Sequence, residues 1–429
     1  MRLWQKKDKI DREILDFCTG DDYIIDNNLI KYDVQASIAH AEMLRKIGIV
    51  NNEELQKLKR CFKAIQRNDA LGKFKIKKAE EDVHTAIENY LTKKCGDAGK
   101  KIHTARSRND QIIAALRLYA MDKLIEVKKE VLDLCTLLIR FAEKYRNTPM
   151  PGYTHTRKAM VSSIGLWATA FVEALLDNIL LWKTAYDLNN QSPLGSAAGY
   201  GVPFEIDRKY VADRAGFGRV QNNVLYVQNS RGKFESILLS VLSAIMLDLN
   251  RMATDIIFFN SEDIGYFVLP DRLCTGSSIM PHKKNPDVLE LIRAKYHVVL
   301  SYEFQVKSLI SNLLSGYNRD LQLTKKPFIS SFETTIASLK IMSRIIRYLK
   351  VDKKRCAAGL TPEMFTTYRA FDLVKKGVPF RDAYRDSARD IDKFLKKYSL
   401  AQLAKKYLSI AGHSRLAPLQ SRIKRYRKL

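Results

Sequence analysis

The chain contains few cysteines, and their positions exclude several classes of protein. Its six cysteines are scattered over 429 residues, and no two of them have CxxC spacing. This arrangement argues against a disulfide framework and against a zinc site built on cysteine pairs. It fits a reducing compartment, so the sequence predicts a cytoplasmic protein that needs no metal.

Long hydrophobic runs are also missing. The longest nearly apolar run, Ile237 to Leu249, is interrupted by two serines and an aspartate. It is too short and too polar to cross a bilayer. The first residues, MRLWQKKDKIDREI, contain no apolar segment of the kind found in secretory signals. We therefore expect a soluble protein without a membrane partner.

Proline and glycine are absent from four long stretches, and this absence predicts the fold. Apolar residues recur there at intervals of three and four, as Leu134, Leu138 and Phe141 show, and this spacing predicts long helices. Alternating strand patterns are scarce. The sequence predicts an all-α fold, an elongated bundle of long helices with smaller helical domains at both ends. The predicted domains are 1–103, 104–358 and 359–429, and the four stretches are 100–148, 233–264, 287–315 and 329–358.

Acidic residues are too few to balance the basic ones, since 47 Asp and Glu stand against 73 Lys and Arg, a net charge of +26. Such an excess suits nucleic-acid binding, attraction of acidic substrates, or lysine-rich codon usage. The basic residues are dispersed except in the tail Arg422–Lys428, and no aromatic-basic module of a nucleic-acid-binding protein is visible. We therefore do not expect nucleic acid as a partner.

One segment concentrates unusual residues, namely TGSSIMPHKKNPD at 275–287. Its glycine and serines favour a mobile loop, and its two prolines prevent a helix from running through it. Lys283, Lys284 and Asn285 place two positive charges and an amide on that loop. Such a loop is able to close over an anionic substrate and exclude water. The alternative is a solvated linker with a chance pair of charges.

Four further polar clusters lie at predicted helix ends or in loops. Each has a plain structural alternative: an acidic helix start, a polar N-cap, a surface loop, or a solvated helix face. Two arginines at the head of a long helix also suit a carboxylate, because the guanidinium fork matches it and helix N-termini attract anions. The clusters are EEDVHTAIE at 80–88, KIHTARSRNDQ at 101–111, GYTH at 152–155 and YNRDLQLTK at 317–325.

Taken together, these motifs resemble those of the argininosuccinate lyase family, within the fumarase/aspartase superfamily. The resemblance runs from about Leu3 to about residue 390 and rests on order and spacing as well as on composition. The GSSxMPxKxNP pattern is specific to the superfamily, whereas RSRNDQ and KKNPD point to the argininosuccinate branch. The motifs are HTARSRNDQ, MPGYTH, SPLGSAAGYG, GSSIMPHKKNPD, GYNRDLQ and GVPFRDAY.

The resemblance implies elimination of fumarate from argininosuccinate, which releases L-arginine, with no organic cofactor or metal. A proton leaves the carbon beside a carboxylate, so the main task is to stabilise the extra negative charge. Lys283 and Asn285 match the positions that do this, and Ser277 matches the loop serine assigned to proton transfer. His155 matches a second acid/base residue, and Glu290 the carboxylate paired with it. Whether serine or histidine is the base stays open.

The resemblance also implies a set of substrate contacts and an assembly. In this superfamily each active site gathers motifs from three subunits of a homotetramer, whose long helices form a shared bundle. The residues that match the family's ligand contacts are Asn109, Thr154, Tyr317, Gln322 and Lys325. Arg108 and Arg231 are expected to be carboxylate or structural partners. Asp82 and His84 match the acidic-His motif near the family's site.

Five positions depart from the family pattern, and they bear on substrate preference or rate more than on fold. Ala105 stands where the family usually has glycine, and His282 stands where its loop usually has glutamine. Gly20 aligns with a ligand-contacting serine of the family. A common substrate-facing glutamine is Arg157, which adds charge beside the GYTH histidine. Tyr226 stands where an aspartate is common.

Two other interpretations remain open at this point. A sister lyase with an altered substrate, such as an adenylosuccinate-type enzyme, is the first, although RSRNDQ and KKNPD argue against it. A weakly active structural or binding homologue is the second, because fold does not guarantee activity. The intact positions Ser277, Lys283, Asn285 and His155 argue against that interpretation.

Overall fold

The computed structural model describes residues 10–389, 391, 398–410 and 415–429. Leu3 and residue 390, where the family resemblance begins and ends, lie outside the described residues. So do the first nine residues of the predicted domain 1–103 and parts of the predicted domain 359–429.

Helices dominate the described chain, and the prediction of an all-α fold is confirmed. The α-helices are α1 (Arg12–Thr19), α2 (Asp22–Ile25), α3 (Ile30–Lys46), α4 (Asn52–Ala70), α5 (Val83–Cys95), α6 (Asp97–Lys101), α7 (Arg108–Lys144), α8 (Ile164–Asn189), α9 (Arg208–Ala215), α10 (Val224–Asn229), α11 (Lys233–Asn260), α12 (Asp287–Leu309), α13 (Lys325–Tyr348), α14 (Lys353–Ala358), α15 (Thr366–Val374), α16 (Phe380–Arg389), α17 (Leu400–Ile410) and α18 (Leu416–Arg427).

Each stretch without proline or glycine holds one long helix or most of one, as predicted. These helices are α7, α11, α12 and α13, and they span 37, 28, 23 and 24 residues. Helix α13 begins before its stretch and includes Pro327 in its first turn. A fifth long helix, α8, spans 26 residues, and residues 166–192 within and after it also contain no proline or glycine.

Short strands accompany the helices: β1 (Pro149–Thr154) and β2 (Arg157–Ser163) form an antiparallel hairpin, and β3 (Phe267–Val268) pairs with β4 (Lys350–Val351). The prediction that GYTH at 152–155 lies in a loop is therefore corrected, because its first three residues belong to strand β1. Gly152 lies at an irregularity in the hairpin register, where an added Cβ would stand 3.0 Å from the Met160 carbonyl oxygen. A side chain there would push the two strands apart.

Contacts divide the chain into two compact units, each assembled from three segments. The first unit comprises Met1–Glu126, Trp182–Val241 and Ser301–Phe332. The second comprises Val127–Leu181, Leu242–Leu300 and Glu333–Leu429. The three-domain division by sequence stays a prediction.

A buried arginine organises the interior of the first unit. Arg117 on α7 donates to the Gln191 carbonyl oxygen at 2.8 Å, to Gln221 Oε1 at 2.8 Å and to Ser230 Oγ at 2.9 Å. Its guanidinium lies 4.7 Å from the ring centre of Phe234. Burial lowers the pKa of Arg117 to about 10, yet the group stays charged near neutral pH. Hydrogen bonds to a buried charge are among the stronger ones, so this residue ties α7 to two other segments.

The second unit has an aromatic and aliphatic core. Trp167 on α8 packs against Phe141 and Phe267, with ring centres 6.3 and 4.9 Å away, and its indole Nε1 donates to Asp255 Oδ2 at 2.9 Å. A separate cluster joins the hairpin to the C-terminal helices. Its buried members are Val161, Leu360, Met364, Phe365, Ile391, Leu403, Ala404 and Leu408.

Two segments are long and apolar enough to cross a membrane by length and composition alone. They are Ile164–Asn189 and Val224–Asn260, and 56% of the most apolar window of each is buried inside the structure. Burial of this extent is typical of helices that contribute to a protein core.

We predict that Arg117→Met lowers the free energy of unfolding by about 3 kcal/mol, because it leaves buried acceptors unpaired while largely preserving side-chain volume. Urea denaturation measures the change. Arg140→Met is the matched control, since Arg140 is exposed on the same helix. Equal losses of unfolding free energy in the two variants would show that the hydrogen bonds of Arg117 contribute nothing to stability.

Candidate active site

A cavity in the first unit collects most of the predicted substrate-binding residues. Its volume is about 110 Å³. Eight of the nine predicted contacts line it: Asp82, His84, Arg108, Asn109, Arg231, Tyr317, Gln322 and Lys325. We name it the Lys325 cavity. Six further lining residues are not among the contacts predicted from the sequence, namely Thr19, Asp22, Asp26, Glu81, Ile112 and Arg319.

Lys325 is buried at the start of α13 and faces two carboxylates. Its side chain is 3% exposed, and Nζ lies 2.7 Å from Asp26 Oδ1 and 2.8 Å from Asp22 Oδ2. Burial opposes the charged form, but the two carboxylates outweigh it and raise the pKa of the lysine. Asp26 also accepts a hydrogen bond from the Val83 backbone N–H at 3.2 Å. One ion cluster thus connects the N-terminal segment, the start of α5 and the start of α13.

Asp22 is the member of this cluster whose ionised form is disfavoured. Burial raises its pKa to about 6, the charge of Lys325 opposes the rise, and that of Asp26 adds to it. The negative charge of Asp26 lies close to Asp22 and disfavours the ionised form of Asp22. Arg231 is the other nearby cation.

Arg108 stands at the head of α7 between two acids. Its guanidinium NH1 lies 2.9 Å from Asp82 Oδ2 and 3.3 Å from Glu81 Oε2. Asp82 also caps α5, because its Oδ1 accepts from the Thr85 backbone N–H at 2.8 Å. Burial alone would raise the pKa of Asp82, but the charges of His84 and Arg108 lower it. The acidic cluster at 80–88 is therefore both a helix start and part of the cavity wall.

His84 presents one free ring nitrogen within a buried environment. Its Nδ1 is hydrogen-bonded to Asp33. Burial lowers the pKa of His84, but Asp33 and Asp82 outweigh this and raise it. Its Nε2 is buried and has no hydrogen-bond partner among the residues that the structure describes. A buried polar atom without a partner is costly, so this nitrogen is suited to meet a ligand.

Arg231, Tyr317 and Gln322 form another wall of the cavity. The Arg231 guanidinium lies 5.5 Å from the Tyr317 ring centre and donates to the Leu321 carbonyl oxygen at 3.1 Å. Gln322 Nε2 donates to the Cys18 carbonyl oxygen at 2.9 Å, as the Arg319 guanidinium does at 2.8 Å. Gln322 and Arg319 thereby fix the N-terminal segment that carries Asp22.

Asp110, in the RSRNDQ motif, binds the backbone of the glycine-rich segment at 191–203. Its buried carboxylate accepts from the backbone N–H groups of Gly195 at 3.0 Å, Ala197 at 2.9 Å and Ser107 at 3.1 Å. Burial raises the pKa of Asp110 to about 6, against these hydrogen bonds. The carboxylate fastens that segment to the head of α7, which also carries Asn109.

The predicted catalytic loop lies in the second unit. Backbone hydrogen bonds close its base: Thr275 N–H donates to the Asn285 carbonyl oxygen at 3.1 Å, and Asn285 N–H to that of Thr275 at 2.8 Å. Ser277 Oγ accepts from the backbone N–H groups of Ile279 and Met280 at 3.3 and 3.1 Å. Lys283 is exposed, and Asn285 is half-buried. Ser277, Lys283 and Asn285 thus lie on one loop whose two ends are joined by backbone hydrogen bonds.

Thr154, His155 and Glu290 also lie in the second unit. Thr154 ends β1, and His155 occupies the hairpin turn with a positive φ of 52°. Both are exposed, as is Glu290 on α12. Within the part of the chain that the structure describes, no ion pair or hydrogen bond joins His155 to Glu290, so that pairing stays a prediction. Thr154 is the one predicted contact outside the Lys325 cavity.

Two departures from the family pattern have a structural context. Ala105, which replaces the family glycine, has a φ of 60°, where a residue with a Cβ is strained. Gly20 has a φ of 51°, so the residue aligned with the family serine takes a backbone conformation that favours glycine. His282 and Arg157 are exposed, and the Tyr226 hydroxyl lies 3.2 Å from Lys233 Nζ.

No group of three or more His, Cys, Asp and Glu side chains is placed to hold a metal ion within residues 10–389, 391, 398–410 and 415–429.

The fold and the cavity define a lyase of the fumarase/aspartase type. The lyase family model matches residues 18–301. The fold resembles that of EDDS lyase in complex with formate, with a TM-score of 0.77 and 22% identity over 94% of this chain and 81% of that one. It also resembles class II fumarase from Schistosoma mansoni, with a TM-score of 0.75 and 15% identity over 95% and 92% of the two chains.

Sequence relatives identify the branch. The argininosuccinate lyase of Thermotoga neapolitana is 51% identical over 384 residues, which cover 90% of this chain and 96% of that protein. The argininosuccinate lyase of Sorangium cellulosum is 40% identical over 99% of both chains. The chain belongs to the argininosuccinate lyase family, and the resemblance seen in its motifs is confirmed.

The raised pKa of Asp22 predicts a specific dependence of stability on pH. With a pKa of about 6 in place of 3.8, the folded protein retains a proton that the unfolded chain releases. The resulting stability is complete below pH 3.8 and is lost as pH rises through 6. Asp22→Asn removes this titration, so the free energy of unfolding of the variant relative to that of wild type rises across that window by about 3 kcal/mol.

Urea denaturation at several pH values measures this difference. Asp21→Asn is the control, because Asp21 is exposed and pairs with Lys326 at 3.1 Å. Curves for wild type and Asp22→Asn that stay parallel from pH 4 to 7 would contradict the assignment.

Proposed function

We propose that this protein cleaves argininosuccinate into fumarate and L-arginine by elimination across a carbon–nitrogen bond. The observation that carries the proposal is the Lys325 cavity, in which eight side chains from separate family motifs meet. Relatives at 40% to 51% identity over most of the chain, all named argininosuccinate lyase, support the same activity.

The charges of the cavity suit a substrate that carries both signs. Arg108, Arg231, Arg319 and Lys325 supply positive charge, and guanidinium forks match carboxylates. The acids Asp22, Asp26, Glu81 and Asp82 supply negative charge for an ammonium or guanidinium group. Argininosuccinate carries carboxylates at both ends together with an ammonium and a guanidinium. A cavity lined by only one sign of charge would leave half of these groups unpaired.

The chemical step is assigned to the second unit. A base removes a proton from the carbon beside a substrate carboxylate, and the resulting aci-carboxylate carries two negative charges. Lys283 and Asn285 stabilise it through a cation and an amide donor on the 275–287 loop. Collapse of the dianion then breaks the bond to nitrogen. Ser277 or His155 acts as the base, with Glu290 as the carboxylate that orients the histidine.

We further propose a cytoplasmic homotetramer whose active sites are shared between subunits. Eight of the nine proposed substrate contacts lie in the first unit, whereas Thr154 and the catalytic set lie in the second. Large apolar side chains are exposed on the long helices, such as Leu180 at 53%, Leu291 at 60% and Phe304 at 73%. Exposed apolar residues on long helices favour packing against other copies of the chain.

The direct test incubates purified protein with argininosuccinate and follows fumarate by its ultraviolet absorbance. We expect wild type to release fumarate and Ser277→Ala to lose at least about 100-fold in rate, because the loop serine takes part in proton transfer. Ser278→Ala is the matched control on the same loop and keeps most of the activity. No fumarate from folded, assembled protein would overturn the proposed function, and full activity of Ser277→Ala would remove the serine from the mechanism.

A further inference from the structure

A second, larger cavity lies within the second unit and belongs to no step of the proposed reaction. Its volume is about 1300 Å³. It is lined by the C-terminal end of α7, the segment 260–274, part of the 275–287 loop, and the chain from the end of α13 into α14. We name it the Arg272 cavity.

Positive charge dominates its wall. Six Lys and Arg side chains line the cavity against three carboxylates, which leaves a net charge of +3. The carboxylates are those of Glu262, Asp271 and Asp352. The six cations are Lys144, Arg272, Lys284, Arg347, Lys350 and Arg355.

Two of the three carboxylates already have partners. Asp271 accepts from Lys284 Nζ at 2.6 Å. Asp352 caps α14, because its Oδ1 accepts from the backbone N–H groups of Lys354 and Arg355 at 2.9 and 3.0 Å. Asp271 and Asp352 therefore already accept hydrogen bonds from these groups, and they form no ion pair with the other cations of the wall among the described residues.

Five of the six cations make no ion pair within the described ranges, namely Lys144, Arg272, Arg347, Lys350 and Arg355. Arg355 instead donates to the Glu262 backbone carbonyl oxygen at 2.7 Å. Arg272 is nonetheless held in place, since its guanidinium lies 3.5 Å from the ring centre of Tyr348. An arginine that rests on an aromatic face keeps its N–H groups available in the ring plane, where they are suited to bind oxygen atoms of an anion.

Of the two adjacent lysines in the 275–287 loop, Lys284 lines the Arg272 cavity and Lys283 does not. Lys284 and His282 line the Arg272 cavity, whereas Ser277, Lys283 and Asn285 do not. The residues proposed for catalysis are therefore separate from those that contribute to this wall. The Lys325 cavity, which we propose as the substrate site, lies entirely within the first unit and shares no residue with it.

We infer that the Arg272 cavity is a binding site for a small polyanion that carries two or more phosphate groups. Arg272 and Arg347 bind phosphate oxygens through their guanidinium forks, and Lys144 and Lys350 add point charges. The volume and these four cations, which make no ion pair among the described residues, suit an extended anion of several negative charges rather than a single monovalent ion. Part of the chain's excess positive charge thereby acquires a specific role.

Inorganic tripolyphosphate is the probe, titrated into the purified full-length protein by calorimetry at constant ionic strength. We expect saturable binding to wild type. Arg272→Gln combined with Arg347→Gln is expected to weaken binding at least about tenfold, since each substitution removes a charge-assisted contact. The fumarate assay and circular dichroism check that the variant is folded; if it is not, Lys144→Gln with Lys350→Gln carries the same expectation.

The matched control pairs Arg344→Gln with Lys354→Gln. Both residues are exposed, lie on α13 and α14, and do not line the cavity. This control removes the same net charge and is expected to leave the affinity almost unchanged. Equal weakening by both pairs would mean that tripolyphosphate responds only to overall charge, and that result would overturn the inference. Absence of binding to wild type would overturn it as well.

Discussion

A single buried lysine, Lys325, determines the architecture of the Lys325 cavity. An ammonium group loses its hydration when it is buried, and this loss costs several kcal/mol unless close partners replace the water. Asp22 and Asp26 provide those partners at 2.8 and 2.7 Å. The three residues come from opposite ends of the first unit's sequence, so the cavity forms only when distant segments have folded against each other. A buried ion cluster of this kind contributes little net stability but fixes geometry.

The same constraint explains the charge pattern of the rest of the cavity. Arg108 lies beside the carboxylates of Asp82 and Glu81, and Arg231 lies beside the Tyr317 ring. His84 follows this logic, because Asp33 orients its ring and leaves Nε2 buried without a partner among the described residues. Lys325, His84 and Arg231 are thus buried polar groups held in place before any ligand binds, which is the condition under which electrostatic recognition is strong.

Sequence alone predicted the long helices and most of the cavity. The helices followed from stretches without proline or glycine, and eight cavity residues followed from family motifs. Asp22 and Asp26 were missed because they stand in the unremarkable segment TGDDYIID, where only the distant Lys325 gives them a role. The hairpin at β1 and β2 was missed because proline and glycine in PMPGYTHT suggested a loop. Arg117 carries no motif, and its importance depends on burial, which one sequence does not reveal.

We expect the Lys325 cavity to bind the substrate even when the chemical step is blocked, and calorimetry on a catalytically silent background measures this. Argininosuccinate is titrated into Ser277→Ala and into Ser277→Ala combined with Lys325→Met, with Lys326→Met as the control, since Lys326 is the exposed neighbour that pairs with Asp21. The account predicts tight binding to Ser277→Ala and to the control, and an affinity at least about tenfold lower when Lys325 is replaced. Equal affinity in all three folded variants would contradict it.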